Sequence, residues 1–133
     1  MQEKLGFMEG KFADLIWEKA PIRTNDLTKL CLDVFGWKRT TTYTMLKRLC
    51  QRGIFENDNG TVVIQMSREA FYGKQSEQFV AETFGGSLPA FIAAFTREKT
   101  LSEEEANEIQ KLIDQSRSQR EHQGNKKSKE ETL

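Results

Sequence analysis

The sequence predicts a mainly α-helical fold with a small β-hairpin, namely a winged helix-turn-helix followed by a helical dimerisation region. Three observations support this prediction. Apolar residues recur at helical spacing in three successive segments. A cluster of Asn, Asp and Gly between two apolar runs then predicts a hairpin. Further helical stripes follow the hairpin. Three helices and a hairpin, in that order, are typical of a winged helix.

The length and composition favour a small protein with a thin core. The 133 residues suit one domain or two small units, and 37% of them are hydrophobic. A partner chain would compensate for a small core. No apolar run approaches the roughly 20 residues of a membrane span, and the N-terminus lacks the design of a signal peptide. We therefore expect no membrane insertion and a cytoplasmic protein.

The metal-ligating residue types are sparse. Cys31 and Cys50 are 19 residues apart on predicted apolar helix faces, and His122 is alone in a polar stretch. We expect two buried free thiols, no metal site and no cofactor.

The first two helices follow from their apolar stripes. Met8, Phe12 and Ile16 repeat at helical spacing, and Pro21 ends a helix predicted over Phe7 to Lys19. Thr24 is the expected N-cap of a second helix.

The third helix, predicted over Thr40 to Arg52, carries the strongest functional signal. The stretch from Phe35 to Gly53 contains five cations and no acid, although the chain has 20 Lys+Arg and 20 Asp+Glu. Helical spacing gives one apolar face and one face of hydroxyls, a phenol and cations. Such a face fits the DNA major groove, and the alternative is an ordinary solvated surface. The residues expected to contact DNA are Lys38, Arg39, Thr40, Thr41, Tyr43, Thr44, Lys47, Arg48 and Arg52.

The hairpin is the expected wing. Runs rich in apolar residues, 54–56 and 61–66, flank the turn cluster 57–60. The stretch Asn57–Met66 has no Lys or Arg and includes Asp58. We therefore expect this wing to add little phosphate contact, so that the salt dependence of binding comes mostly from the helix cations. A hairpin with no role in binding nucleic acid is the alternative.

Three further helical stripes follow, with Ser67 as one cap and Ser102 to Glu105 as a capping box. Short helices cannot easily enclose so many large apolar residues, which favours packing against a second chain over a monomer in which they fold back. The predicted divisions are 1–66, the DNA-binding domain, 67–117, the dimerisation region, and 118–133, a disordered tail. The expected dimerisation residues are Phe79, Phe84, Leu88, Phe91, Ile92, Phe95, Ile109, Leu112 and Ile113.

Taken together, these residues resemble the penicillinase-repressor family of bacterial regulators, which includes BlaI and MecI and has the copper-responsive CopY proteins as relatives. The resemblance covers roughly Leu5 to Asp114. The matching residues are Glu9…Leu15-Ile16-Trp17, Trp37…Thr40-Thr41-x-x-Thr44-x-Leu46-x-Arg48-Leu49…Gly53, Phe84-Gly85-Gly86 and Leu101-Ser102-x-x-Glu105.

The resemblance implies a homodimeric transcriptional repressor that binds a palindromic operator in double-stranded DNA through the third helix. Thr41, Tyr43, Thr44 and Arg48 match its reading positions, and Lys38 and Arg39 match the approach to them. In the antibiotic-responsive members, a membrane sensor-protease triggers cleavage before a Phe. The matching bond is Ala94–Phe95, where Ala94 replaces the usual Asn. The tail lacks the cysteine cluster of the copper-responsive relatives, which argues against metal sensing.

Two other functions compete with this one. A winged helix can instead serve as a protein–protein interaction module, with the basic helix facing an acidic partner and without specific DNA binding. The aromatic residues of the fourth and fifth helices could also line a ligand pocket, although aromatic stripes usually pack together. The residues form no catalytic set, so an enzyme is not expected.

Overall fold

The computed structural model describes the backbone of residues 4–131 and the side chains of residues 4–121. In this part of the chain, six helices accompany a three-stranded antiparallel sheet. The elements are α1 (Phe7–Lys19), β1 (Ile22–Arg23), α2 (Thr24–Phe35), α3 (Arg39–Gln51), β2 (Phe55–Asp58), β3 (Thr61–Ile64), α4 (Arg68–Thr83), α5 (Leu88–Glu98) and α6 (Glu103–Glu131). The predicted fold class, helices with a small hairpin in the order of a winged helix, is confirmed.

The boundaries of the first three helices follow local chemistry. The structure gives α1 the predicted bounds, because Pro21 cannot continue a helix. Helix α2 ends at Gly36, whose φ of 68° is left-handed and therefore suits glycine. Helix α3 begins and ends one residue before the prediction.

Thr24 does not cap α2 as predicted but is its first residue, and no side chain caps the helix. The backbone N–H of Thr24 instead donates to the carbonyl oxygen of Gly60 at 2.8 Å. The start of α2 is thereby joined to the wing.

The wing is a hairpin with a two-residue turn. Asn59 and Gly60 have φ values of 50° and 90°, and positive φ at both positions is the signature of a type I′ turn. The sheet also contains β1, which the sequence did not predict, and its order is β1-β3-β2. In β1, Arg23 pairs with Thr61, and Asp58 of β2 pairs with the same Thr61 from the other side.

One hydrophobic core holds these elements together. Phe12 and Ile16 of α1, Leu49 of α3 and Val62 of β3 are fully buried. Burying a side chain of this size stabilises the fold by about 1.5–3 kcal/mol. This core fixes which face of α3 points outward.

Helix α4 belongs to the winged-helix unit rather than to a separate region. Ser67 caps it as predicted, accepting a hydrogen bond from the N–H of Ala70. Its Phe71 is buried, and the Phe71 ring centroid lies 5.8 Å from that of Trp17 in α1. The chain accordingly divides into units Met1–Gly86 and Ser87–Leu133, whereas we expected the division after residue 66.

The second unit consists of α5 and α6. Ser87 caps α5 by accepting from the N–H of Ala90. The predicted capping box opens α6: Glu105 N–H donates to the Ser102 hydroxyl oxygen at 3.1 Å, and Ser102 N–H donates to a Glu105 carboxylate oxygen at 3.3 Å.

Helix α6 continues to Glu131, past Ser118, where we expected a disordered tail to begin. The added stretch is rich in Gln, Arg, Glu and Lys, which favour helix, and contains no proline. Residues 1–3 and 132–133 of the predicted divisions lie outside the described residues.

No single helix among the described residues has the length and hydropathy to cross a membrane, although α4 and α5 reach those values when they are taken together across the bend between them.

Candidate nucleic-acid interface

Helix α3 presents its two faces as the sequence predicted. Thr42, Leu46 and Leu49 are buried against the core. The opposite face is exposed to solvent and carries hydroxyl and cationic side chains. Its exposed members are Thr40, Thr41, Thr44, Lys47 and Arg48, together with Lys38 and Arg39 at the start of the helix. The core therefore orients the predicted DNA-contacting residues outward as one group.

Tyr43 is held in place by neighbours on two elements. The guanidinium carbon of Arg39 lies 5.5 Å from the Tyr43 ring centroid, and its Nη2 donates to the phenol oxygen at 3.4 Å. The other amino group, Nη1, donates to Oδ1 of Asn25 at 3.5 Å. A hydrogen bond with the Thr24 side chain, and to a lesser degree the one from Arg39, lowers the pKa of Tyr43. The start of α2 thus positions two side chains of α3.

The middle of the outward face is a shallow concavity. Its walls are Thr40, Thr41, Thr44, Met45 and Arg48, and its volume is ≈290 Å³. The Thr44 hydroxyl donates to the carbonyl oxygen of Thr40 at 2.9 Å, and Arg48 Nη1 lies 3.9 Å from the Met45 sulfur. Hydroxyl oxygens in this open depression are suited to polar groups at the edge of a base pair, and the Arg48 guanidinium is suited to a phosphate.

Arg52 differs from the other predicted contacts. It follows the last residue of α3 and is half-buried. Its guanidinium carbon lies 5.7 Å from the ring centroid of Phe71 in α4. This side chain therefore contributes to packing between α3 and α4. Of the nine predicted DNA-contacting residues, Arg52 is the one whose surroundings least favour contact with DNA.

Three residues beside this face, Arg23, Thr24 and Asn25, are not among the contacts that the sequence predicts. The sequence assigns a role only to Thr24, as a helix cap. Their position just before a basic helix-turn-helix was the available signal. Their contacts with Tyr43, Arg39 and the wing depend on the folded arrangement, which spacing along the chain does not reveal.

Neither cysteine has the environment of a reactive thiol. Cys31 is buried and Cys50 is half-buried, and both are free. Burial raises the pKa of each, although the neighbouring Thr42 side chain opposes the shift at Cys31. Over the described residues, no three His, Cys, Asp or Glu side chains are grouped so as to hold a metal ion.

The second unit leaves much of its apolar surface in water. No residue of α5 is buried, and Leu88 and Phe95 are 56% and 44% exposed. On α6, Leu112 is 63% exposed. Of the other predicted dimerisation residues, Ile92 and Ile113 are exposed, and Phe91 and Ile109 are half-buried. Phe79 and Phe84, which belong to the first unit, are exposed and half-buried respectively. The Ala94–Phe95 bond lies inside α5, so a protease would have to open this helix to reach it.

A three-helix core, a wing and an outward basic helix define a winged-helix transcription regulator. Comparison with known sequences agrees: the family model "Penicillinase repressor" matches residues 5–115. The chain belongs to this family, whose members are repressor-type regulators.

Two characterised proteins are similar to the chain. The penicillinase repressor of Bacillus licheniformis is 26% identical over 105 residues, which cover 76% of this chain and 82% of that protein. The methicillin resistance regulatory protein MecI of Staphylococcus aureus is 20% identical over 109 residues, which cover 79% of this chain and 89% of that protein.

Proposed function

We propose that this repressor acts as a homodimer that binds a palindromic DNA operator through the outward face of α3. The observation that carries the proposal is the orientation of α3. Its apolar side is fixed in the core, and its hydroxyls and cations project together into solvent. A helix presented in this way can lie in a major groove with its side chains against base edges and phosphates.

The side chains divide by chemistry. Lys38, Arg39, Lys47 and Arg48 are assigned to phosphates, because exposed cations neutralise the DNA backbone without reading sequence. Arg52 is also assigned to phosphates, although its guanidinium packs over the ring of Phe71. Short hydroxyls and a phenol at the centre of the face suit bases or sugars, and we assign these contacts to Thr40, Thr41, Tyr43 and Thr44.

Dimerisation is assigned to the exposed apolar residues described above, with Leu88, Phe95 and Leu112 as its most exposed members. Apolar side chains at this exposure favour burial against a second copy. A two-fold dimer would place two α3 helices about 34–36 Å apart, one turn of DNA, which requires a palindromic site.

The names of the two relatives refer to penicillinase and to methicillin resistance. We extend this to the present chain as control of a resistance gene. Release from DNA after cleavage triggered by a membrane sensor-protease is a separate and weaker proposal. The matching bond, Ala94–Phe95, has Ala in place of the Asn that usually precedes the cleaved bond.

Selection of bound fragments from random double-stranded DNA tests the proposal. We expect a palindrome whose half-sites are centred about one helical turn apart. On the selected duplex, Arg48→Ala should weaken binding by about 1–3 kcal/mol in a titration at fixed salt. Lys11→Ala on α1 is the matched control, because Lys11 is an exposed cation that lies over the Phe7 ring of its own helix.

The alternative, a protein–protein interaction module, predicts a different result. A DNA-binding repressor binds a duplex of random sequence non-specifically, and this binding weakens steeply as salt is raised. Fluorescence anisotropy would detect no such salt-sensitive binding for an interaction module. Recovery of no enriched sequence, together with salt-independent or absent binding, would refute the repressor function.

A further inference from the structure

The wing of this protein lies beside the proposed DNA-reading helix but has no cation of its own. Between Asn57 and Met66 there is no Lys or Arg, and Asp58 lies next to the turn. From these residues alone, the wing would repel rather than bind a phosphate.

The fold brings a cation to the wing from elsewhere in the chain. Strand β1 pairs with β3, so Arg23 lies directly beside Thr61, the first residue after the turn. A Cβ atom built on Gly60 would lie 3.9 Å from Nη2 of Arg23. The Arg23 guanidinium is therefore at the wing turn itself, although 37 positions separate Arg23 from Gly60 in the sequence.

The charge of Arg23 is also available. The side chain is exposed, and it forms no ion pair with any residue in the range 4–121. Its outward direction follows from the sheet. Ile22 pairs with the fully buried Val62, so the next residue along β1 points to the opposite, outer side.

Arg23 is tied to the reading face by one residue. Its neighbour Thr24 has its side chain beside the Tyr43 phenol of α3 and donates its backbone N–H to the Gly60 carbonyl oxygen of the wing. The wing turn, Arg23 and the outward face of α3 are thus parts of one continuous surface within the first unit.

We propose that Arg23 contacts a DNA phosphate beside the wing, so that β1 supplies the cation that the hairpin lacks. This inference rests on the proposed DNA-binding function. It adds a phosphate contact outside α3, so the salt dependence of binding is no longer set by the cations of α3 alone. Asp58, paired with Thr61 from the other side, lies on the same face of the sheet and opposes this contact.

The test is the salt dependence of binding to a fluorescein-labelled duplex of random sequence, measured by anisotropy with the full chain. Each phosphate contact contributes about −0.9 to the slope of log K against log salt concentration. Arg23→Gln should weaken binding and make the slope shallower by about 0.9 for each protomer bound. Arg23→Lys should retain the slope, and Asp58→Asn should strengthen binding.

Lys11→Gln is the control of equal charge change, and it should leave affinity and slope unaltered. Tryptophan fluorescence checks that each variant is folded, since both tryptophans pack against the core of the first unit. If Arg23→Gln has the slope of the unmodified protein while Arg48→Ala binds more weakly, the role of Arg23 is refuted and the proposed function stands. If the unmodified protein itself fails to bind the duplex, both are refuted.

Discussion

Thr42 provides a test of how α3 is anchored that is independent of DNA. Its side chain is 1% exposed, and its hydroxyl oxygen has no conventional hydrogen-bond partner among the described residues. The Cys31 thiol, a weak donor and acceptor, is close enough for the Thr42 side chain to affect its pKa. Thr42→Val keeps the shape of the side chain and replaces the hydroxyl by a methyl group. We expect this change to stabilise the protein.

The magnitude follows from burial. Leaving a buried polar group unsatisfied costs about 1–3 kcal/mol, and the thiol places Thr42 near the lower end of that range. Thr42→Val should therefore raise the free energy of unfolding by about 1 kcal/mol. The midpoint temperature would rise by about 4–8 °C for a unit of this size.

Urea unfolding followed by tryptophan fluorescence measures the effect, with an unchanged m-value as the sign that the unfolded state is unaffected. Thr44→Val is the matched control, two residues along the same helix. Its hydroxyl is exposed and already bonded to the Thr40 carbonyl. This variant should alter stability by less than about 0.5 kcal/mol and weaken DNA binding instead. A fall in the unfolding free energy of Thr42→Val would mean that the hydroxyl has a strong partner and that our reasoning is wrong.

Three further predictions concern the core, the dimer and the reading face. Leu49→Ala should destabilise the first unit by about 2–5 kcal/mol in the same urea assay, because a fully buried side chain leaves a cavity. Phe95→Asp should yield monomers in sedimentation. Phe7→Asp, which changes a 78% exposed phenylalanine on α1, should leave the dimer intact. A dimer that persists in Phe95→Asp would place the interface elsewhere. Because the Tyr43 pKa is lowered, this phenol should ionise before the pH of about 10 that is usual for tyrosine. The new negative charge should weaken DNA binding as the pH approaches about 10, and Tyr43→Phe should abolish that decline.

The sequence predicted those parts of the fold that are encoded locally. The periodicity of α1 and the proline after it determine where that helix ends. Asn59-Gly60 between two apolar runs specifies the hairpin turn, since both residues tolerate positive φ. The two faces of α3 also follow from spacing alone, because Thr42, Leu46 and Leu49 recur at the helical period.

What the sequence did not reveal depends on contacts between distant segments. Strand β1 has only two residues, too few for a periodic signal, and it exists because Ile22 meets Val62. The first unit extends through α4 because Phe71 reaches the Trp17 ring, a contact that an apolar stripe on α4 does not specify. The placement of Tyr43 by Thr24 and Arg39 likewise requires α2 and α3 to be side by side.

The same distinction explains why a chain with no net charge can be a DNA-binding protein. Charges act over about 10 Å at 0.1 M salt, so a phosphate responds to the groups near it and not to the total. In the first unit, Asp14 is already neutralised by Arg68 at 3.0 Å, while the cations of α3 are gathered on one exposed face. If Arg23 adds to them from β1, the relevant charge is assembled by the fold from segments that the sequence keeps apart. Counting Lys and Arg within α3 then underestimates the number of phosphates engaged, and the measured salt slope is the quantity that reveals the difference.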